Sequence, residues 1–269
     1  GGWWLDLGGQ WMGRSHHLLQ ALSQELGLQP FESFCSGDAV LVWNGTRVAA
    51  PMEHDWAGSF LDLPYDAVPA PAREREAARR LHHTFLELVE SVEAARPWLA
   101  PAARSLDTET AESWMRRHSD CDLAHAILRW YTRVGGSGGF EPGDTSILHL
   151  AQTQKASPQG EGPETWLLDG AVGQIPQLLA AQLQGRLHSG AAAQLVERQA
   201  DGRTRVRSAD GSSHLCRAVV VAIPPPLRSR IRFDPALPPE VTHLGQRTPM
   251  GAMIKVLAVY PSAWWREQI

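Results

Sequence analysis

The run Ala218-Val219-Val220-Val221-Ala222-Ile223, halted by Pro224-Pro225-Pro226, decides the fold class. Consecutive apolar residues leave no face for water, so the run reads as a strand covered on both sides. Strands of that kind belong to parallel sheets flanked by helices. Proline has no N–H to give to a ladder, which stops the strand. Upstream, the same strand is expected to begin at Ser213, after a turn at Asp210-Gly211. Further β-favouring runs, Ala192–Arg198 and Thr204–Ser208, flank Asp201-Gly202. Before them lies a helix holding Ile175, Leu178, Leu179 and Leu183, entered through Asp169-Gly170-Ala171-Val172-Gly173 from a short strand, Trp166-Leu167-Leu168. Downstream, Ala252 to Tyr260 is a last β-favouring run, interrupted by one charge, Lys255. Strands alternating with helices give an α/β (α+β) chain.

The first half reads differently. Trp3–Leu7 is a short strand ending at the glycine pair Gly8-Gly9. Leu18, Leu22 and Leu26 recur every four residues, with Ser15 to cap the helix and Gly27 to close it. Ala39–Trp43 and Thr46–Ala49 flank Asn44-Gly45, whose tolerance of positive φ signals a hairpin. Residues 51–72 read as loop. A helix over Arg73–Ala95 places Leu81, Phe85, Leu88 and Val92 on one face, and Pro97 ends it. Two shorter helices are expected within 107–134, the second carrying Leu123, Ile127, Trp130 and Val134. Gly135–Gly139 and residues 154–164 read as loops. No internal repeat is visible.

Composition excludes several classes. With 25 Lys and Arg against 29 Asp and Glu, the net charge is −4, too balanced for a protein that binds nucleic acid by neutralising phosphates. At 43% hydrophobic residues over 269, the chain can bury a core and is not disordered. No run is long enough to span a membrane. Cys35, Cys121 and Cys216 are far apart, so neither a disulfide framework nor a metal site is expected, and a reducing, cytoplasmic location is the default. The chain opens on Gly1-Gly2-Trp3-Trp4 and stops inside what reads as an element, and it is expected to be a piece of a longer protein.

Several chemical motifs are absent. G-x-G-x-x-G does not occur: Gly136 and Gly138 begin it, but Glu141 stands at the third position. His16-His17 and His82-His83 are helical neighbours that point apart, and they are read as surface histidines. Two stretches are informative. In Leu5-Asp6-Leu7-Gly8-Gly9-Gln10-Trp11-Met12-Gly13, the glycine pair lets a flat ligand approach the backbone, Gln10 offers an amide and Trp11 an aromatic wall. From those residues alone, an ordinary turn with a packed Trp is the favoured reading. In Met250–Tyr260, Lys255 is either an edge-strand charge facing water or a desolvated ammonium with a task.

Four blocks in order resemble the flavin-containing amine oxidases, the monoamine-oxidase-like family. The glycine-pair stretch with its helix is one, and Asp169–Pro176 resembles the family's GG-x-G-Q helix entry. Val219–Pro225 with Ile231–Pro238 is the third. Pro249–Lys255 with Tyr260 and Ala263-Trp264-Trp265 is the fourth. The resemblance implies an FAD-binding, Rossmann-like domain over 1–30 and 169–244, interleaved with a mixed-sheet-plus-helices substrate domain over 31–168 and 245–269, incomplete at both ends. It implies oxidation of an amine C–N bond to an imine, with FAD as cofactor, a small-molecule amine and O2 as reactants, and hydrogen peroxide as product. By the same resemblance Gly8, Gly9 and Gln10 lie along the flavin, and Trp11 also lines the substrate cavity. Ala191 falls at the adenine edge, and Ala222, Ile223 and Pro224 pass the cofactor. Glu164 falls beside the substrate, and Lys255 holds a water against the flavin.

The sequence departs from the family by lacking the Gly-rich phosphate loop, its ribose-binding acid and the C-terminal aromatic cage. The chain alone is therefore not expected to be active. Related flavoproteins of the protoporphyrinogen oxidase or carotenoid desaturase type are the rival enzymes, and Lys255 argues for the amine oxidases. A degenerate relative serving as a scaffold is the rival of another class. A homodimer is compatible with either reading.

Overall fold

A computed structural model describes residues 4–34, 37–51, 64–136, 138–157 and 164–267. The chain divides into two compact units, Gly1–Ile175 with Gly251–Ile269, and Pro176–Met250.

The first unit is built around a helical layer. Helix α1 spans His17–Glu25, α2 Ala72–Glu90, α3 Ala103–Thr108, α4 Ala111–His118, α5 Asp122–Trp130 and α6 Ile147–Ala156. Helix α2 forms because its first two turns are Ala, Arg and Glu, all strong helix formers. Ala78, Leu81, His82, Phe85 and Val89 make its buried stripe. Phe85 is fully shielded and meets Trp114 and Tyr131 edge-on, at centroid separations of 6.1 and 6.0 Å. Thr110 and Ser146 cap α4 and α6, each side-chain oxygen accepting from the amide three residues on.

Three expectations for this layer are corrected. The helix expected to reach Ala95 ends at Glu90, although Val92 beyond it is still buried. His82 is not a surface histidine: it is 7% exposed, and its Nδ1 pairs with Tyr65 Oη at 3.0 Å. Helix α6 was not expected, and part of it lies where a loop was read. Its Ile147, Leu150 and Ala151 are completely buried.

The Asn44-Gly45 hairpin is present as β2 (Asp38–Trp43) and β3 (Thr46–Pro51), with Trp43 opposite Thr46. Both turn residues have positive φ, 47° and 78°. Residues 52–63 of the expected loop lie outside the described residues. Strand β1 (Pro30–Glu32) pairs antiparallel with β4 (Trp166–Leu168), and Met12 bridges to Trp166. A second small core forms there from Met12, Leu28, Leu168 and Ile175, with Leu19, Leu22 and Leu26 packed on it. In the first turn of α1 the inward leucine is therefore Leu19, and Leu18 is 90% exposed. Gly27 closes α1 with φ 74°, as expected. Ser15 does not cap it. His16 occupies that place and accepts from the Gly13 amide at 2.9 Å.

Helix α7 (Gln174–Gln182) leads into the second unit. There β5 (Ala193–Arg198), β6 (Thr204–Ser208), β7 (Ser213–Cys216) and β8 (Arg232–Asp234) form a sheet in the order β7-β6-β5-β8. The pair β5–β8 is parallel and the other two are antiparallel. Helix α8 spans Pro239–Arg247. The strand expected from Ser213 to Ile223 stops at Cys216. Residues 217–223 join no ladder among the described residues, and Val220 is 89% exposed. The runs 4–7 and 252–260 are likewise unpaired, and Trp3 lies outside the described residues. A strand is a pairwise structure, and none of these runs pairs in a ladder among the described residues.

Candidate active site

One cation gathers three oxygens of the glycine-pair loop. Lys255 Nζ donates to the Asp6 carbonyl at 2.7 Å, to the Gly8 carbonyl at 3.0 Å and to Gln10 Oε1. An ammonium carries three protons, and these oxygens match them in number. The same nitrogen sits 6.0 Å from the centre of the Trp11 ring, within cation–π range. The sequence left Lys255 open between a charge facing water and a desolvated ammonium with a task. In the structure it lies on an exposed segment and its ammonium is met by polar partners from the far end of the chain.

The loop is fixed from several other sides. Both Asp6 carboxylate oxygens accept backbone amides, from Val172 at 2.9 Å and Gly173 at 3.1 Å, just before α7. Trp11 Nε1 donates to Ser33 Oγ at 3.3 Å, and Gln20 Nε2 donates to the carbonyls of Gly13 and Arg14. A Cβ placed on Gly8 or Gly9 would meet nothing within 4 Å, so the backbone between Lys255 and Trp11 has an open face.

The segment carrying Lys255 has its own seat. The Ala252 amide donates to the Gly139 carbonyl at 3.0 Å, and a Cβ on Gly251 would stand 2.3 Å from the Gly138 carbonyl oxygen. Only glycine at 251 permits that approach. The glycines that failed to make a dinucleotide motif therefore form the surface against which the Lys255 segment rests. They follow a π-helical stretch, Tyr131–Gly136.

Of the residues singled out from sequence, Gly8, Gly9, Gln10, Trp11 and Lys255 are brought together. Glu164 is half-buried one residue before Thr165, whose carbonyl accepts the Ser33 amide, and desolvation raises its carboxyl above the ordinary range. Ala191, Ala222, Ile223 and Pro224 belong to the second unit, the last three exposed at the end of the unpaired run. Asp6 had no role in the sequence reading. Its signal was a lone carboxylate in an apolar run, the same anomaly that drew notice to Lys255.

The family described as flavin containing amine oxidoreductase matches residues 1–269. This chain belongs to it. An L-amino acid dehydrogenase of Synechocystis sp. is 32% identical over 99% of this chain and 55% of its own length. A putrescine oxidase of Kocuria rosea is 30% identical over 99% and 56%. The chain spans about half the length of the curated relatives it matches. Among solved structures, wild-type putrescine oxidase bound to putrescine superposes with a TM-score of 0.81 at 25% identity, covering 98% of this chain and 57% of that one. Cyclohexylamine oxidase from Brevibacterium oxydans shares the fold at a TM-score of 0.72. The α/β (α+β) expectation and the family assignment therefore stand. No helix among the described residues is long and apolar enough to cross a membrane.

Proposed function

We propose that the protein oxidises the C–N bond of a small amine to an imine, with FAD as cofactor. The observation that carries this reading is the grip of Lys255 on the Gly8-Gly9-Gln10 loop. The open backbone face there fits a flat ring system, because no Cβ stands between the chain and a ligand. The phosphate end of the cofactor finds no G-x-G-x-x-G in these residues. FAD, when bound, supplies the two-electron acceptor, and O2 is the terminal oxidant giving hydrogen peroxide.

The chain's own residues have distinct tasks. Gly8 and Gly9 admit the ring to van der Waals distance of the main chain. Lys255 holds the loop and is the candidate catalytic residue, its cationic head beside the same face. A water on that ammonium would compete with the oxygens of Asp6, Gly8 and Gln10, which already match its protons. Trp11 forms an aromatic wall. Glu164, raised by burial, is the candidate acceptor for a substrate ammonium, since an amine entering beside it would restore its charge. Ala191, Ala222, Ile223 and Pro224 are proposed to line the cofactor's length.

The test is the visible spectrum of the purified full-length protein under anaerobic conditions, before and after adding aryl-alkylamines, polyamines and L-amino acids in turn. Bleaching by one class supports the reading and names the substrate. A protein that cannot be loaded with FAD, or whose flavin no amine reduces, overturns it. Lys255→Met is expected to retain flavin and to slow its reduction or reoxidation by on the order of 100-fold.

A further inference from the structure

We propose that Asp6 is the positioning residue of this site, setting the place of the glycine-pair loop and of Lys255 together. Its side chain and its main chain face different partners. The carboxylate takes the two amides of Val172 and Gly173, at 2.9 and 3.1 Å. Those amides have no earlier helical carbonyl to serve, so a carboxylate there is favoured by hydrogen bonding and by the helix dipole. The carbonyl of the same residue accepts from Lys255 Nζ at 2.7 Å. One residue therefore joins three segments: the glycine-pair loop, the entry to α7 and the Lys255 segment.

The geometry explains why the loop needs such an anchor. Among the described residues, 4–7 join no ladder, so no strand pairing seen there fixes the chain on the approach to Gly8. Gly8 and Gly9 have no Cβ to pack and are the freest residues of the loop. Between an unpaired run and two glycines, the carboxylate clasp supplies the missing constraint. Lys255 alone could not, because its own segment is exposed and long-stemmed side chains adapt to whatever they grip. Asp6 does not reach the open face over Gly8 and Gly9, so its effect on chemistry is exerted through Lys255.

This inference rests on the amine-oxidase reading for its kinetic consequence, but its structural part can be tested without turnover. In the full-length protein, Asp6→Ala is expected to speed hydrogen exchange at the Val172 and Gly173 amides by on the order of tenfold or more, the loss of charge-assisted bonds. The Lys255 ammonium, followed by nitrogen-15 NMR, is expected to exchange faster by a similar factor. Asp6→Asn keeps one acceptor oxygen and should fall between, and it serves where the alanine variant does not fold. With an amine that reduces the flavin, kcat should fall at least about fivefold while KM stays within about twofold, as for a group that aligns rather than binds. Faster amide exchange with an unchanged Lys255 signal would make Asp6 a helix cap alone and overturn the proposal. Failure of every amine to reduce the flavin of the unmodified protein would count against the amine reading, and the exchange measurements would still decide the role of Asp6.

Discussion

Phe85, Ile147 and Leu150 are shielded from water completely, whereas Val220, Ile254 and Val256 are 89%, 91% and 83% exposed. Both regions are apolar in sequence. The first is a set of helices whose backbone hydrogen bonds close within each element, so only side chains remain to be buried. The second is a pair of β-favouring runs, 217–223 and 252–260, outside any ladder among the described residues, whose amides and carbonyls need a neighbouring strand before their side chains can be covered. A helix brings most of its structure with it. A strand depends on the rest of the sheet.

The contrast can be broken most forcefully at Phe85. Phe85→Ala removes a ring wedged between Trp114 and Tyr131 and is expected to cost about 3–5 kcal/mol. That is a large part of a domain's stability, which is typically about 5–15 kcal/mol. Chemical denaturation followed by circular dichroism measures it, and a loss below about 1 kcal/mol would mean the helical layer is not the stable core.

A smaller effect lies on the rim of the same layer. Glu112 accepts from Arg129 at 2.6 and 3.0 Å and from Arg116 at 2.7 Å. Hydrogen bonding from Arg129, with a further bond from Arg116, lowers its carboxyl from 4.5 to about 2. A carboxyl with a depressed folded-state value stabilises above its unfolded value and loses that contribution as pH falls towards the folded one. Glu112→Gln should therefore cost about 1–2 kcal/mol at neutral pH, allowing for solvent screening, with the difference shrinking between pH 4.5 and 2. Melting curves of both proteins across that range test it. A difference that does not change with pH would remove the ion pair from the account.

At the far end, Val220→Thr should change the stability of this 269-residue chain by less than about 0.5 kcal/mol, because the side chain already faces water. A cost comparable to a core position would show that the run is covered, and the contrast would collapse.

The same contrast explains what could be read from the sequence. The Asn44-Gly45 hairpin, β5 to β7, α2 and α7 announce themselves through local pattern and turn chemistry, and the structure contains them. Helix α6 does not, because its buried face, Ile147, Leu148, Leu150, Ala151 and Gln154, includes a polar residue, which weakens the apolar period along its ten residues. His82 was misread because its partner, Tyr65, lies 17 residues away and not beside it. The run at 218–223 has the composition of a covered strand, but covering it takes a neighbouring strand that the described residues do not supply. Lys255 and the glycine pair were visible as anomalies. Their meeting was not, since spacing says nothing about which segments a fold brings together. Asp6 was hidden inside a run read as a strand.

The hold of Lys255 on Asp6 joins residues 249 positions apart. A ribosome adding about 5–20 residues per second delivers the lysine roughly 12–50 s after the aspartate. Over roughly the last third of that interval, once residues 172 and 173 have been made, the carboxylate can seek their amides, but the glycine pair still has no cation to close on. The first loop of the site to be made is thus among the last to take its final form.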